Sequence, residues 1–163
     1  MNNIILCGFM GSGKSTVGSE LAKITGRRFI DTDAMIEREQ GVAIKAIFAT
    51  RGEDYFRELE FECCKKVSAL KNCVISTGGG ALTFERNVDA LKSGGTIVFL
   101  DADFETICER IGNSKNRPLF NDTDKARELY NERHSVYLNA ADIVIDGNMS
   151  ARKTALEIAQ MFK

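Results

Sequence analysis

Short apolar runs alternate with longer, charged segments along the whole chain. Runs of about four to eight apolar residues bounded by polar or turn residues are typical of buried strands. They predict strands at Asn3–Cys7, Arg28–Asp31, Cys73–Thr77, Thr96–Leu100 and Ile143–Ile145. Between them, apolar residues recur at helical spacing, as at Val17, Leu21 and Ile24. The predicted helices are Lys14–Thr25, Asp33–Gln40, Ile44–Thr50, Asp54–Ala69, Glu85–Lys92, Phe104–Ile111, Lys125–Ala140 and Ala151–Phe162.

This alternation of strands and helices predicts an α/β fold. Strand–helix–strand units connect with a right-handed crossover, so we expect a parallel sheet with helices on both faces, a three-layer αβα arrangement. The 163 residues suit one domain that spans 1–163. The segment "NSKNRPLFNDTD", Asn113–Asp124, is polar, holds the only proline and is predicted to be a loop.

Composition and charge narrow the class of protein. Apolar residues make up 44% of the chain and charged residues 28%, as is usual for soluble globular proteins. The net charge of −1 gives no basic excess for nucleic-acid binding, and no apolar run reaches the roughly 18–20 residues of a membrane span. The N-terminus lacks the features of a signal peptide. We therefore expect a cytoplasmic monomer with no nucleic-acid or membrane partner, in which any anion site is local.

The cysteines and the single histidine argue against several kinds of site. The five cysteines include no C-x-x-C pair and are interpreted as reduced, small apolar residues. His134 is the only histidine, which excludes metal sites with two histidines and argues against a catalytic triad.

The stretch "GFMGSGKS", Gly8–Ser15, lies where the first strand gives way to the first helix. It matches the phosphate-loop pattern G-x-x-x-x-G-K-[ST], although such a match also arises by chance in glycine-rich turns. In such a loop, backbone N–H groups and the positive end of the helix surround a phosphate. Lys14 can reach the β- and γ-phosphates and Ser15 can bind Mg²⁺, so the sequence predicts a nucleotide site.

Three further polar clusters follow predicted strands, at the sheet edge where ligands of parallel sheets bind. They are "DTD" (Asp31–Asp33), "TGGG" (Thr77–Gly80) and "DAD" (Asp101–Asp103). The aspartates of the first could cap a helix, but beside a triphosphate they favour a functional role. The glycines could form a flexible turn or bring bare backbone to a γ-phosphate. Asp101 could hold Mg²⁺, but a strand terminus or helix cap is the favoured interpretation.

Four arginines are candidates for anion binding: Arg57, Arg110, Arg117 and Arg133. Each taken alone is most simply a solvated surface residue. Arg117 lies in the polar loop beside Pro118, where a lid would carry an arginine.

Taken together, the motifs resemble those of the shikimate kinase family over essentially the whole chain. They are "GFMGSGKST", "DTD", "GEDYFRELE", "STGGGA", "NRPL" and "RHSVY". The resemblance implies ATP-dependent phosphorylation of the 3-hydroxyl of shikimate, a step of the pathway to chorismate and the aromatic amino acids. It also implies a phosphate-loop kinase fold, similar to that of the nucleoside-monophosphate kinases, with the sheet order 2-3-1-4-5.

The resemblance further implies a role for each matching residue on the nucleotide side. The ATP phosphates would be bound by Gly11, Ser12, Gly13, Lys14, Ser15 and Thr16. Ser15 would bind Mg²⁺ directly and Asp31 through water. Arg110 would stack on adenine, with a last adenine contact near Met149. Arg117 would be the phosphate-binding arginine of a lid at about 113–124.

On the acceptor side, the resemblance implies a shikimate-binding segment at about 33–60. The substrate contacts would be Asp33, Arg57, Arg133, Gly78, Gly79 and Gly80. Arg57 and Arg133 would grip the carboxylate, and Glu60 would orient Arg57. Asp33 would orient the reacting hydroxyl and accept its proton late, while Lys14 and Arg117 would stabilise the transferring group. Phe120 and His134 are local departures from the family pattern.

Other functions stay open at this point. A small phosphate-loop kinase for gluconate or a nucleoside monophosphate has similar chemistry, although the acceptor motifs favour shikimate. A GTPase switch would need N-K-x-D and D-x-x-G, and neither pattern occurs in the chain. A nucleotide-dependent regulator without a small-molecule acceptor would differ from a kinase by producing no ADP.

Overall fold

The computed structural model describes residues 2–112 and 122–163. The strands are β1 (Asn3–Cys7), β2 (Arg28–Asp31), β3 (Cys73–Ser76), β4 (Gly95–Asp101) and β5 (Ile143–Asp146). The helices of the described residues are α1 (Lys14–Thr25), α2 (Thr32–Gln40), α3 (Ile44–Arg51), α4 (Glu53–Ser68), α5 (Glu85–Gly94), α6 (Phe104–Ile111), α7 (Thr123–Ala140) and α8 (Ala151–Met161). A 3-10 turn, Ala81–Thr83, follows β3 and was not predicted.

The five strands form one parallel sheet in the order β2-β3-β1-β4-β5, which confirms the predicted fold. In its centre, Ile5 of β1 is paired with Ile75 of β3 on one side and Ile97 of β4 on the other. Because all strands run the same way, their carboxyl ends meet at one edge. The polar clusters that follow β1, β2 and β3 are thereby brought together.

The sheet is covered on both faces, which explains why its strands are apolar throughout rather than alternating. Ile4 and Leu6 of β1 point into one core, which contains residues of α1 and α8. Ile5 and Cys7 point into the other, which contains residues of α2 to α7. All five cysteines are free thiols and all but Cys108 are buried, as the sequence predicted. Within the described residues, no helix is long and apolar enough to cross a membrane.

Helix α7 begins two residues earlier than predicted, at Thr123. Its cap explains the difference, because the Asp122 carboxylate accepts a hydrogen bond from the backbone N–H of Lys125 at 3.1 Å. The predicted loop 113–124 is therefore wrong for Thr123 and Asp124, which are helical. Residues 113–121 of that loop, including Arg117 and Phe120, lie outside the described residues.

Candidate active site

A cavity of about 730 Å³ opens at the carboxyl edge of the sheet. It brings together residues of the phosphate loop, the loops after β2, β3 and β5, and side chains of α6 and α7. Its lining contains the following predicted site residues: Gly11, Ser12, Gly13, Lys14, Ser15, Thr16, Asp31, Asp33, Gly78, Gly79, Gly80, Arg110, Arg133 and Met149.

The phosphate loop has the backbone that its glycines permit. Gly11 (φ 81°) and Gly13 (φ 94°) both adopt the left-handed region. Gly13 precedes the first residue of α1 and caps it without a side-chain hydrogen bond. The amino end of α1 thus faces the cavity with backbone N–H groups and a positive dipole, as an anion site requires.

Lys14 folds back over this loop. Its Nζ donates to the carbonyl oxygens of Gly8 at 2.7 Å and Phe9 at 3.2 Å. The ammonium group is held close to the loop, where an incoming phosphate could take over as its hydrogen-bond acceptor.

Ser15 and Asp31 lie together, as a shared metal role requires. The Ser15 hydroxyl donates to Asp31 Oδ2 at 3.2 Å, while Asp31 Oδ1 accepts from the backbone N–H of Ala34 at 3.1 Å and caps α2. Capping and metal binding are therefore compatible in one carboxylate. Hard oxygen donors of this kind suit Mg²⁺, which keeps several waters and is usually held by one or two carboxylates plus phosphates. Accordingly, residues 2–112 and 122–163 contain no group of three or more His, Cys, Asp or Glu that could cage a metal.

Asp33 is a half-buried carboxylate at the first turn of α2. Its pKa is raised to about 6, first by burial and then by the negative charges of Asp31 and Glu60, while Lys14 acts in the opposite direction. The backbone of Gly78 approaches it so closely that a Cβ there would lie 2.7 Å from Asp33 Oδ1. The glycine turn after β3 (Gly78–Gly80) therefore requires a glycine at position 78, because a side chain there would collide with the Asp33 carboxylate.

Arg57 is held by a buried acid on its own helix. Its Nη1 donates to Glu60 Oε1 at 2.9 Å, and the Glu60 side chain is only 2% exposed. Burial raises the pKa of Glu60, and the charge of Arg57 and its hydrogen bond lower it. Glu53 adds a weaker contact at 3.4 Å. The guanidinium lies against the glycine turn, since a Cβ on Gly80 would be 2.9 Å from Arg57 Nη2.

Arg133 approaches the same turn from α7. A Cβ on Gly79 would lie 3.2 Å from Arg133 Nη1. The two arginines therefore flank one glycine turn, with Asp33 beside its first glycine. One turn later on α7, the Tyr137 hydroxyl donates to the Gly79 carbonyl oxygen at 2.6 Å. Sequence reasoning missed Tyr137; its signal was the spacing of four residues from Arg133, which places both on one helix face.

On the nucleotide side, Arg110 bridges two loops. Its Nη1 donates to the Ser12 carbonyl oxygen at 3.1 Å and its Nη2 to that of Met149 at 3.0 Å. Both predicted adenine-side residues are thus in the cavity lining, although the guanidinium bonds to backbone.

Asp101 is the last residue of β4, which confirms its favoured interpretation as a strand terminus. Its carboxylate lies 3.0 Å from Nε2 of His134 on α7. Neither residue belongs to the cavity lining. The interpretation of Asp101 as a metal-binding acid therefore finds no support in the geometry.

Comparisons with known proteins point to one family. The family model for shikimate kinase (SKI) matches residues 10–163. The shikimate kinase of Helicobacter hepaticus is 44% identical over an alignment of 163 positions, which covers 98% of this chain and 95% of that protein. The shikimate kinase of Aquifex aeolicus is also 44% identical, over 95% of this chain and 92% of that protein.

Solved structures extend the likeness to the fold. Shikimate kinase from Acinetobacter baumannii in complex with shikimate superposes with a TM-score of 0.91 at 38% identity, covering 99% of this chain and 93% of that one. A gluconokinase from Sinorhizobium meliloti shares the fold alone, with a TM-score of 0.59 at 17% identity. With a family match over nearly its full length and relatives above 40% identity, the chain belongs to the shikimate kinase family.

Proposed function

We propose that the protein transfers the γ-phosphoryl group of ATP to the 3-hydroxyl of shikimate, giving 3-phosphoshikimate and ADP on the pathway to the aromatic amino acids. Kinases of this family use ATP as a substrate. The observation that carries the proposal is one cavity that joins a phosphate loop to an acid and an arginine, Asp33 and Arg133, across a glycine turn. The whole chain, 1–163, is the kinase domain, with the acceptor segment at about 33–60.

On the acceptor side, two arginines bind the carboxylate of shikimate. Arginine–carboxylate contacts can be bidentate, so Arg57 and Arg133 together fix the position and tilt of the ring. Asp33 then accepts a hydrogen bond from a ring hydroxyl and directs that hydroxyl toward the γ-phosphate. Gly78, Gly79 and Gly80 have no side chains to fill the space between these groups, so the ring can lie there.

Asp33 is a late proton acceptor rather than a strong base. Burial raises its pKa to about 6, which makes it a better acceptor than an ordinary carboxylate but leaves it far weaker than an alkoxide. The transition state of phosphoryl transfer is loose in most analyses, so little proton transfer is needed early in the reaction. Its first contribution is orientation, and it takes the proton as the new ester bond forms.

On the donor side, the backbone N–H groups of Gly11 to Thr16 bind the phosphates of ATP. Lys14 exchanges its bonds to the loop carbonyls for phosphate oxygens. Ser15 would hold Mg²⁺ directly and Asp31 would hold it through a water molecule; the ion would supply positive charge that neutralises the phosphates. Arg110 and the backbone at Met149 contact the adenine.

Four further statements stay predictions from the sequence. Arg117 closes over the phosphates as part of a lid at about 113–124. The protein acts as a monomer, in the cytoplasm, and without a nucleic-acid or membrane partner.

A coupled ADP-release assay tests the proposed function. The purified protein is supplied with ATP and Mg²⁺ and with shikimate, quinate, gluconate or nucleoside monophosphates in turn. We expect kcat/KM for shikimate to exceed that for each other acceptor by about two orders of magnitude or more, since a site built to pair polar groups rejects analogues that leave them unpaired. A preference for gluconate, or no ADP with any acceptor, would contradict the proposal.

A further inference from the structure

Tyr137 lies at the junction between the core and the glycine turn. Its side chain is 1% exposed, and its ring packs against Phe99 with centroids 5.2 Å apart. Its hydroxyl donates to the carbonyl oxygen of Gly79 at 2.6 Å, across 58 residues of sequence. A ring fixed in this way holds its hydroxyl at a constant position, because a buried tyrosine has few rotamers to exchange.

The same hydroxyl lies on the side of the glycine turn that Arg133 approaches from one helical turn earlier on α7. The pKa of Tyr137 is raised to about 12, chiefly by burial, while the nearby positive charge of Arg133 opposes that rise. A phenol can donate one hydrogen bond and still accept another. The Tyr137 hydroxyl can therefore accept a hydrogen bond from the guanidinium while it donates to Gly79, because both groups lie beside that glycine. A Cβ built on Gly79 would be 3.2 Å from Arg133 Nη1 and 4.0 Å from the Tyr137 hydroxyl oxygen.

We propose that Tyr137 is a positioning residue for the acceptor, coupling the carboxylate-binding Arg133 to the glycine turn at Gly79. The inference rests on the proposed function. It adds a residue that touches no substrate atom but sets two groups that do.

Two physical effects follow from this coupling. An arginine loses considerable rotamer entropy when it binds an anion, and a partner that orders it beforehand reduces that cost. The peptide unit is planar, so a fixed Gly79 carbonyl also fixes the direction of the Gly80 N–H in the same unit. The Gly80 position in turn faces Arg57. One hydroxyl thus helps set the geometry on both sides of the carboxylate site.

Helix α7 offers a matched control in Tyr130. Its hydroxyl donates to a backbone carbonyl as well, that of Ala102, at 2.7 Å. Its ring packs against Phe9 and Phe104 with centroids 5.5 Å apart in each case. Tyr130 is outside the cavity lining, so Tyr130→Phe removes the same type of bond from the same helix without touching the site.

The experiment compares Tyr137→Phe, Tyr130→Phe and the parental protein in KM, kcat and calorimetric shikimate affinity. The phenylalanine keeps the packed ring in both variants. For Tyr137→Phe we expect KM for shikimate to rise about three- to tenfold, the range for one lost hydrogen bond, with KM for ATP within about twofold of the parent. Tyr130→Phe should match the parent in both. Thermal unfolding of the free proteins should shift by similar amounts in the two variants.

A double-mutant cycle with Arg133→Ala isolates the coupling. In that background Tyr137→Phe should weaken shikimate binding by a clearly smaller factor than in the parent, because only its effect through the glycine turn remains. Equal factors in both backgrounds, or a Tyr137→Phe protein that binds shikimate like Tyr130→Phe, would overturn the inference. A parental protein that does not phosphorylate shikimate would instead overturn the proposed function, so the two failures are distinguishable.

Discussion

The acceptor half and the nucleotide half of the cavity hold their polar groups in different ways. On the acceptor side, Arg57 faces Gly80 without being part of the cavity lining, and it is bonded to the buried Glu60 at 2.9 Å. Gly79 is bonded to the buried Tyr137 at 2.6 Å. These partners lie behind the site, where a ligand need not displace them. In the nucleotide half, Lys14 and Arg110 bond to backbone carbonyls of the loops that border the cavity.

The acceptor groups are therefore preorganised, whereas the nucleotide groups must exchange their bonds to the loop carbonyls for contacts with the nucleotide. A preorganised group has already lost its conformational freedom, so more of its contact energy appears as affinity. A group that must leave a carbonyl before it meets a phosphate contributes only the difference between the two contacts. We therefore expect substitutions in the acceptor half to affect binding strongly. In the nucleotide half, the effect should depend on whether the group acts in the ground state or the transition state.

The largest expected effect belongs to Lys14. Lys14→Ala should lower kcat by about a thousandfold or more, because its charge stabilises the transferring phosphoryl group most strongly in the transition state. Lys14 is only half-buried and lies outside both hydrophobic cores, so thermal unfolding should change little. Steady-state kinetics with ATP, Mg²⁺ and shikimate measure this. Lys23→Ala, whose side chain on the same helix is 73% exposed, is the control and should match the parent. A near-parental kcat for Lys14→Ala would remove the loop from the mechanism.

The two carboxylate-binding arginines come next. Arg57→Ala and Arg133→Ala should each weaken shikimate binding by about 2–5 kcal/mol, the cost of removing one partner of a desolvated charge pair, and change ATP affinity much less. Calorimetry measures both affinities. Arg127→Ala is the control on α7, because that side chain is 51% exposed and pairs with Glu105 at the surface.

Stability should separate these two variants. Arg57→Ala leaves the buried Glu60 without its cationic partner and should lower the free energy of unfolding by about 3 kcal/mol, as breaking a buried pair does. Arg133→Ala should lower it less. Equal stability of the two proteins in urea unfolding would contradict the preorganised Arg57–Glu60 pair. Parental shikimate affinity in both variants would show that these arginines do not bind the carboxylate.

A third, smaller effect concerns the free energy that Asp33 costs the folded protein. Its pKa is about 6 when folded and near 3.9 in an unfolded chain, so the folded state holds the proton more tightly. The favourable contribution of this group to the free energy of unfolding is therefore complete below about pH 4, and it is lost as the pH rises through about 6. Asp33→Asn should raise the free energy of unfolding at pH 7.5 by about 1–3 kcal/mol, should give no gain below about pH 4, and should abolish most turnover.

Urea unfolding at both pH values measures this effect. Asp89→Asn, on the exposed face of α5, serves as the control and should be neutral at both. A destabilised Asp33→Asn protein at pH 7.5 would mean that the carboxylate is better satisfied in the fold than its burial indicates.

The sequence predicted the frame of the protein more completely than the environment of its site. The alternation of strands and helices, with the family resemblance, was sufficient for the sheet and its order. The phosphate loop is local in sequence, and Ser15 and Asp31 lie after β1 and at the end of β2, which meet at the same edge of the sheet, so motif and topology place them. The start of α7 at Thr123 was missed because its capping residue, Asp122, was assigned to the polar loop.

Long-range contacts and the burial of individual side chains could not be predicted from the sequence. The bond from Tyr137 to Gly79 joins residues 58 positions apart, and nothing in a single sequence gives the partner of a tyrosine hydroxyl. The raised pKa of Asp33 depends on how much water the fold removes, which no motif states. The adenine role implied for Arg110 gave no hint of its bonds to Ser12 and Met149.

Substitution of Arg110 gives the smallest expected effect, and it tests whether groups in the nucleotide half must give up existing hydrogen bonds when nucleotide binds. Stacking on adenine would require the guanidinium to loosen its bonds to the Ser12 and Met149 carbonyls, at 3.1 and 3.0 Å. Arg110→Ala loses the stacking but no longer has these bonds to break. We therefore expect ADP affinity to fall by less than about tenfold, roughly the value of one partly exposed cation–π contact, while the unfolding free energy falls by about 1 kcal/mol. Arg110→Lys should be intermediate in stability because it lacks the fork that spans both carbonyls. Calorimetry with ADP and urea unfolding measure the two quantities, with Arg127→Ala again as the control. A loss of ADP affinity above about a hundredfold would show that Arg110 gives up nothing when nucleotide binds, and the nucleotide half would then be as preorganised as the acceptor half.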